Sequence, residues 1–309
     1  MAAKPIRIGT RGSNLALAQT AEITDLLQRM RPDIPVETVI IKTAGDTDQV
    51  TSLAHTGEPG FFTKKIEAEL LAGRIDVAVH SAKDLPSQSP DGLMIAAVPV
   101  RGPLEDVWVS VRYGSLDEAE SGTIVGTGSP RRRALLLNHR GDLKASEIRG
   151  NVETRLRKLQ EGRYDALIMA RAGLARLGLN DRISEILPCD LFVPAAGQGA
   201  LAIQIRVGDG TTERFVRDVN DPASYRSLAI ERLLLRRLNA GCSVALGAYA
   251  TITDTNIKLS ATVLDKDGCR RLYATYSLDA DQTNEELVDL VSQSLILQGA
   301  LQLIKECDG

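Results

Sequence analysis

Apolar positions along this 309-residue chain fall into two alternating rhythms. Short β-branched runs predict strands at residues 6–10, 36–43 and 75–80, and helical spacing predicts helices over about 14–30 and 62–72. Ser13 stands where the first helix needs an N-cap, and Gly73 where the second needs a C-terminal stop. Strand–helix alternation of this kind predicts a mostly parallel sheet with crossover helices. From about residue 100 the grammar restarts, with strands at 107–111, 123–127 and 166–170 and helices at 130–138 and 151–160, the first carrying Pro130 in its opening turn. A glycine-bearing junction, Pro194-Ala195-Ala196-Gly197-Gln198-Gly199, precedes an apolar strand at 200–206. The remainder changes character. A helix over about 222–238, three alternating strands and a helix after Asn284 predict a small α+β module.

Composition narrows the classes. The length predicts two or three domains, and 43% hydrophobic with 25% charged residues fits a globular protein with a core. A net charge of −3 supplies no basic field for nucleic acid. No apolar run approaches the ~20 residues of a membrane span. The stretch from Met1 to Arg7 lacks the apolar centre of a signal peptide, so the cytoplasm is the expectation, although a trimmed transit peptide would leave no trace. Cys189, Cys242, Cys269 and Cys307 form no CxxC pair, and His55, His80 and His139 show no ligand spacing, so no metal is expected. Of 37 basic residues, 27 are Arg. The planar guanidinium grips carboxylate or phosphate in a bidentate fork, so the position of these residues becomes the question.

Three turns lie where a strand ends and a helix begins, the place where open α/β sheets bind ligands. They are Thr10-Arg11-Gly12-Ser13, Thr127-Gly128-Ser129-Pro130-Arg131-Arg132-Arg133 and Arg149-Gly150-Asn151-Val152-Glu153-Thr154-Arg155. Together they point to a ligand with several carboxylates or phosphates. The segment HSAKDLP carries Ser81, Lys83 and Asp84 off the end of a buried strand, and a carboxylate there can stabilise a developing cation and pass protons. His80 reads as a hydrogen-bonded core residue. Cys242 follows Gly241 in a loop where a thiol can be reactive, whereas the other three cysteines read as small apolar residues. Two other readings share the anion-ready turns. A non-catalytic two-domain anion sensor would need neither Asp84 nor Cys242. A nucleotide or phosphate-ester enzyme lacks its GxxxxGK[ST] or GxGxxG loop here.

Seven strings in order, IGTRGSNLALAQ, FFTKKIEAELLAGRIDVAVHSAKDLP, GTGSPRRR, IRGNVETRLRKL, YDALIMARAGLARLGL, PAAGQGALAIQIR and NAGCSVALGAYA, resemble the porphobilinogen deaminase (hydroxymethylbilane synthase) family over nearly the whole chain. The resemblance implies an α/β fold, with two periplasmic-binding-protein type II-like domains plus a small C-terminal α+β domain. It divides the chain into a discontinuous first domain (1–99 with 200–217), a second (100–199) and a third (218–309) that carries the attachment cysteine. It implies a transferase that joins four porphobilinogen units head to tail into hydroxymethylbilane with release of ammonia, on a dipyrromethane cofactor held by a thioether to Cys242. Asp84 matches the family's catalytic aspartate, which stabilises the cationic azafulvene. Ser81, Lys83, Thr127, Ser129, Arg131, Arg132 and Gln198 match cofactor contacts. Arg11, Ser13, Phe62, Arg149, Asn151, Arg155 and Arg176 match the substrate side. A monomer with porphobilinogen as its small-molecule partner, and no nucleic acid or membrane, completes the expectation. Each pyrrole carries an acetate and a propionate, which accounts for Arg in the anion-ready turns. The chain departs from the family pattern at Glu58-Pro59-Gly60, where Gly-Lys-Gly is usual, at Gly128 and Pro130, where Ser and Leu are common, and at Asn239-Ala240, which replaces Glu-Gly. The first departure removes a cation that could touch substrate.

Overall fold

A computed structural model describes residues 4–42, 63–241 and 244–308. The first sheet has the order β2-β1-β3-β10-β4. Its strands are β1 (Ile6–Thr10), β2 (Val36–Ile40), β3 (Val77–Ser81), β4 (Leu93–Ala97) and β10 (Leu201–Arg206). β1 runs parallel to β2 and β3, while β10 is antiparallel to both its neighbours, so four strands share one direction and β10 opposes them. The expected mostly parallel sheet is therefore present, with its reversal at the strand that returns from residue 200. Alternation along β3 divides two cores. Val77 and Val79 pack with Ile23 and Leu27 of α1 (Asn14–Met30), whereas Ala78 packs with Ile66 and Leu70 of α2 (Lys64–Leu71). The sheet is covered on both faces. β2 ends at Ile40 and α2 begins at Lys64, both inside the expected spans, and Phe62 lies outside the described residues.

The second sheet repeats this order in its own numbering, β7-β6-β8-β5-β9, with β5 (Asp106–Ser110) as the opposed strand. β6 (Ile124–Gly126), β7 (Lys144–Ser146), β8 (Ala166–Ala170) and β9 (Glu185–Ile186) complete it. Along β5, Trp108 faces the core containing Leu135 and Leu136 of α3 (Pro130–His139). Val107 and Val109 face the core containing Leu159 of α4 (Val152–Gln160) and Leu174 of α5 (Arg171–Arg176). The shared order and the two covered faces fit the expected pair of type II-like α/β domains. The sequence pattern does not reveal β7 and β9, because three and two residues are too few to show a period of two.

The C-terminal part is an antiparallel sheet of β11 (Ala245–Ile252), β12 (Asn256–Leu264) and β13 (Arg271–Asp279). It packs against α7 (Pro222–Arg237), α8 (Asn284–Leu297) and α9 (Ala300–Asp308) through Ile230, Leu234, Leu259, Leu287, Val291 and Leu303. α8 opens with a capping box between Thr283 and Glu286. Before α7, the short α6 (Gly210–Arg217) is capped by Asp209 and buries Phe215 in the first sheet's core. Among the described residues no single helix is long and apolar enough to cross a membrane; α8 and α9 reach that test only as a pair bent by 71°. Proximity along the fold separates two compact units, Met1–Gly102 with Ala200–Arg226 and Pro103–Gly199 with Ser227–Gly309.

Candidate active site

In the first unit β3 ends in a short 3₁₀ turn, Ala82–Asp84. The turn is pegged at both ends. Ala82 is buried and donates its N–H to Ala200 O at 3.0 Å, and buried Leu85 donates back to Ala82 O. Lys83 and Asp84, between the pegs, are exposed. A carboxylate is thus held on a rigid strand end with its side chain free to meet a ligand. Ser81, one residue before the turn, accepts a 2.8 Å hydrogen bond from Gln19 Nε2. Gln19 escaped the sequence reading. It shares the buried face of α1 with Ile23 and Leu27, and an amide in that apolar register was the available signal. At the end of β1, Ser13 caps α1 by accepting from Ala16 N at 3.3 Å, and Arg11 in the same turn is half-buried.

Beneath the turn runs a buried polar chain. His80 Nε2 lies 3.1 Å from Gln204 Oε1, and Gln204 Nε2 donates to Glu67 Oε1 at 3.0 Å. Burial lowers the His80 pKa to about 4, so the imidazole is neutral at ordinary pH. The core reading of His80 matches this placement.

In the second unit, Ser129 caps α3 by accepting from Arg132 N, and Thr127 Oγ1 accepts from Ser129 N at 3.2 Å. Arg131 and Arg132, in the first turn, are both buried and converge on Asp106, which is completely buried. Arg131 Nη2 is 2.8 Å from Asp106 Oδ2, and Arg132 Nη2 is 2.8 Å from Oδ1. Gln198 joins the cluster, donating to Asp106 Oδ1 at 2.9 Å and accepting from Arg132 Nη2 at 3.2 Å. The two arginines hold the Asp106 pKa down at about 2 against the opposing effect of burial. Gln198 sits between Gly197 (φ 75°) and Gly199 (φ 84°), a left-handed pair that folds its side chain inward. Asp106 was missed because its partners are distant in sequence. Glu231 of α7 was missed for the same reason; its buried carboxylate accepts from Gly197 N and Ala250 N at 2.6 and 2.8 Å.

The third turn lies in the same unit. Asn151 caps α4 through a 2.9 Å bond from Thr154 N. Arg149 pairs with exposed Glu147 at 2.7 Å, and Arg155 Nε donates to Gly150 O at 2.8 Å. Gly150 has φ 109°, and a Cβ there would meet Thr154 Cγ2 at 2.5 Å. Arg176 Nη2 donates to Gly199 O at 3.1 Å, beside Gln198. Cys242 lies outside the described residues, in the link between α7 and β11.

The donor set suits a ligand rich in carboxylates. Arg131 Nε is buried and has no hydrogen-bond partner among the described residues, so this pair of arginines retains unspent donor capacity. Hydroxyls at Thr127 and Ser129 lie on the same turn, and a Cβ at Gly128 would meet Ile148 O at 2.8 Å. A dipyrromethane with its acetate and propionate groups fits such donors.

A family model described as porphobilinogen deaminase, dipyromethane cofactor binding domain, matches residues 6–214, and its C-terminal domain counterpart matches 225–296. The porphobilinogen deaminase of Desulforudis audaxviator (strain MP104C) is 42% identical over 301 residues, covering 97% of each chain. That of Gloeobacter violaceus (strain ATCC 29082 / PCC 7421) is 42% identical, over 98% of this chain and 94% of its own. Among solved structures, a periplasmic substrate-binding protein of an ABC transporter from Coxiella burnetii aligns with 71% of this chain and 94% of its own, at TM-score 0.45 and 14% identity.

Proposed function

The chain belongs to the porphobilinogen deaminase family, and on that premise we propose how its residues divide the work. The activity is a transferase reaction of tetrapyrrole biosynthesis: four porphobilinogen units are joined head to tail into hydroxymethylbilane, and ammonia leaves at each addition. The dipyrromethane cofactor supplies the primer on which the units are joined.

In this reading Asp84 performs the chemistry. As the C–N bond of the aminomethyl group breaks, the substrate becomes a cationic azafulvene. A C–C bond then forms to the neighbouring pyrrole, whose ring carbon gives up a proton. In this proposal the Asp84 carboxylate accepts a hydrogen bond from a pyrrole N–H and offsets this charge in both steps. The observation that carries the assignment is the pegged turn, which exposes Asp84 on a strand end whose flanking residues are buried. Ser81 and Lys83 accompany it. Thr127, Ser129, Arg131, Arg132 and Gln198 hold cofactor carboxylates, and Cys242 forms the thioether. Arg11, Ser13, Phe62, Arg149, Asn151, Arg155 and Arg176 serve incoming substrate.

The proposed domain division is 1–99 with 200–217, then 100–199, then 218–309. A monomer in the cytoplasm is also proposed. Incubating the purified protein with porphobilinogen and assaying ammonia together with oxidisable porphyrinogen tests the reading. Turnover in the wild type that vanishes with Asp84→Asn is the expected result; a variant that turns over normally would remove Asp84 from the chemistry.

A further inference from the structure

Asp106 takes no part in the reading above except through the arginines, yet the charge count around it is unusual. α3 opens with Pro130, Arg131 and Arg132 and has no acidic residue in its first turn. Two cations thus occupy the positive end of a helix dipole, an unfavourable place for them. Both side chains are also buried. Asp106, the first residue of β5, answers one of the two charges. Its Oδ1 receives Arg132 Nε at 2.9 Å, Arg132 Nη2 at 2.8 Å and Gln198 Nε2 at 2.9 Å, and its Oδ2 faces Arg131 Nη2 at 2.8 Å. Among the described residues no other carboxylate contacts either guanidinium. One positive charge therefore remains buried in excess. The donor left over is on Arg131, whose Nη1 goes to Val193 O and whose Nε has no partner. Burial outweighs Asp106 at this side chain and lowers the Arg131 pKa, as expected of an under-compensated cation.

We infer that Asp106 is a positioning residue, the internal counter-ion of the cofactor site: it offsets one arginine charge and leaves one for a single cofactor carboxylate. This rests on the assignment of Arg131 and Arg132 to the cofactor. Stability then depends on the excess charge in each state. Bound carboxylate takes the cluster from one positive charge in excess to none. With Asp106→Asn the same step runs from two in excess to one. Repulsion among buried like charges grows faster than linearly with the excess, so the variant gains more from the cofactor than the wild type does.

The experiment compares melting temperatures of cofactor-loaded protein and of apo-protein made without a porphobilinogen supply. Asp106→Asn should widen the gap between the two by about 5 °C or more. A carboxylate with a merely structural role would lower both by the same amount and leave the gap unchanged, which would overturn the inference. Asp106→Glu, which keeps the charge, should bring the gap back toward the wild-type value. Should Asp106→Asn fail to fold, Arg132→Gln provides the frame. Alone it removes the excess charge and should narrow the gap; adding Asp106→Asn restores the excess and should widen it again. A gap unmoved by that addition overturns the counter-ion role. A wild-type gap in Arg132→Gln alone overturns the underlying cofactor assignment as well.

Discussion

His80 Nε2 and Gln204 Oε1 stand 3.1 Å apart between strands β3 and β10, both side chains buried. Gln204 accepts at Oε1 and donates at Nε2, so a neutral imidazole with its proton on Nε2 satisfies the pair, and Glu67 accepts from the other end of the amide. The chain of contacts continues to Thr63, at the N-cap of α2, through a 3.4 Å bond to Glu67. A polar rib thus ties α2 to the strand that carries Asp84.

The rib makes stability depend on pH. His80 has a folded pKa of about 4 against an unfolded value of 6.5. Between those limits the unfolded chain binds more protons, so stability is full above about pH 6.5 and is lost as pH falls to about 4. The loss is on the order of 3 kcal/mol. Urea unfolding across this range should show a steeper decline in the wild type than in His80→Gln. Parallel slopes would mean that His80 is not buried neutral.

Asp84→Asn keeps the side-chain size and removes the charge. Both flanking pegs, Ala82 and Leu85, remain, so the melting temperature should stay close to that of the wild type. Turnover should fall by at least ~10²-fold, equivalent to about 3 kcal/mol of transition-state stabilisation. Asp84→Glu, which retains the charge but shifts it by a methylene, should recover part of the loss. Equal rates in all three proteins would contradict the assignment.

The attachment residue is open to direct test. Intact-mass measurement should find a two-pyrrole addition, and peptide mapping should place it on the peptide containing Cys242. Cys189 is half-buried and Cys269 exposed, and neither forms a disulfide, so accessibility alone does not select the residue. An adduct on either of them, or fully active protein with an unmodified Cys242, would refute the thioether assignment.

Local features of the site were legible because their signals are local. The Ser13, Ser129 and Asn151 caps each use a side chain three residues from the amide it accepts; Ser13 was marked as a cap by residue type, while Ser129 and Asn151 were marked only as members of the anion-ready turns. The turn bearing Asp84 follows a strand whose apolar run is continuous. In the second sheet the strands β5, β6 and β8 were legible, at 107–111, 123–127 and 166–170, while β7 and β9 were not. What stayed hidden is long-range. The strand-to-helix turn at residue 130 reads as an anion-ready turn, yet both of its first arginines are buried against a carboxylate of the chain itself. The cause is Asp106, 26 residues before Arg132, aided by Gln198, which is 92 residues from Asp106. No local rule tells which way the first side chain of β5 will point. Gln19 was half-legible: its helical register was visible, but its partner Ser81 was not.

The arginines should separate by consequence. Arg132 is buried and bonded to Asp106 and Gln198, so Arg132→Leu removes donors from a completely buried carboxylate and amide. Such a change is costly to the fold and, in the proposed reading, also takes away a cofactor contact. The variant should be recovered largely without cofactor and should melt at a lower temperature than the wild type. Arg149 is different. Its partner Glu147 is largely exposed, and a pair of that kind contributes about 0–1 kcal/mol. Arg149→Leu should therefore fold normally and load its cofactor, because in the proposed reading the contact it loses belongs to incoming substrate. Its defect should appear as slow consumption of porphobilinogen. Intact mass after purification reads cofactor content in both variants, and single-turnover mixing with porphobilinogen reads the second step. Full cofactor in Arg132→Leu together with none in Arg149→Leu would reverse the two roles.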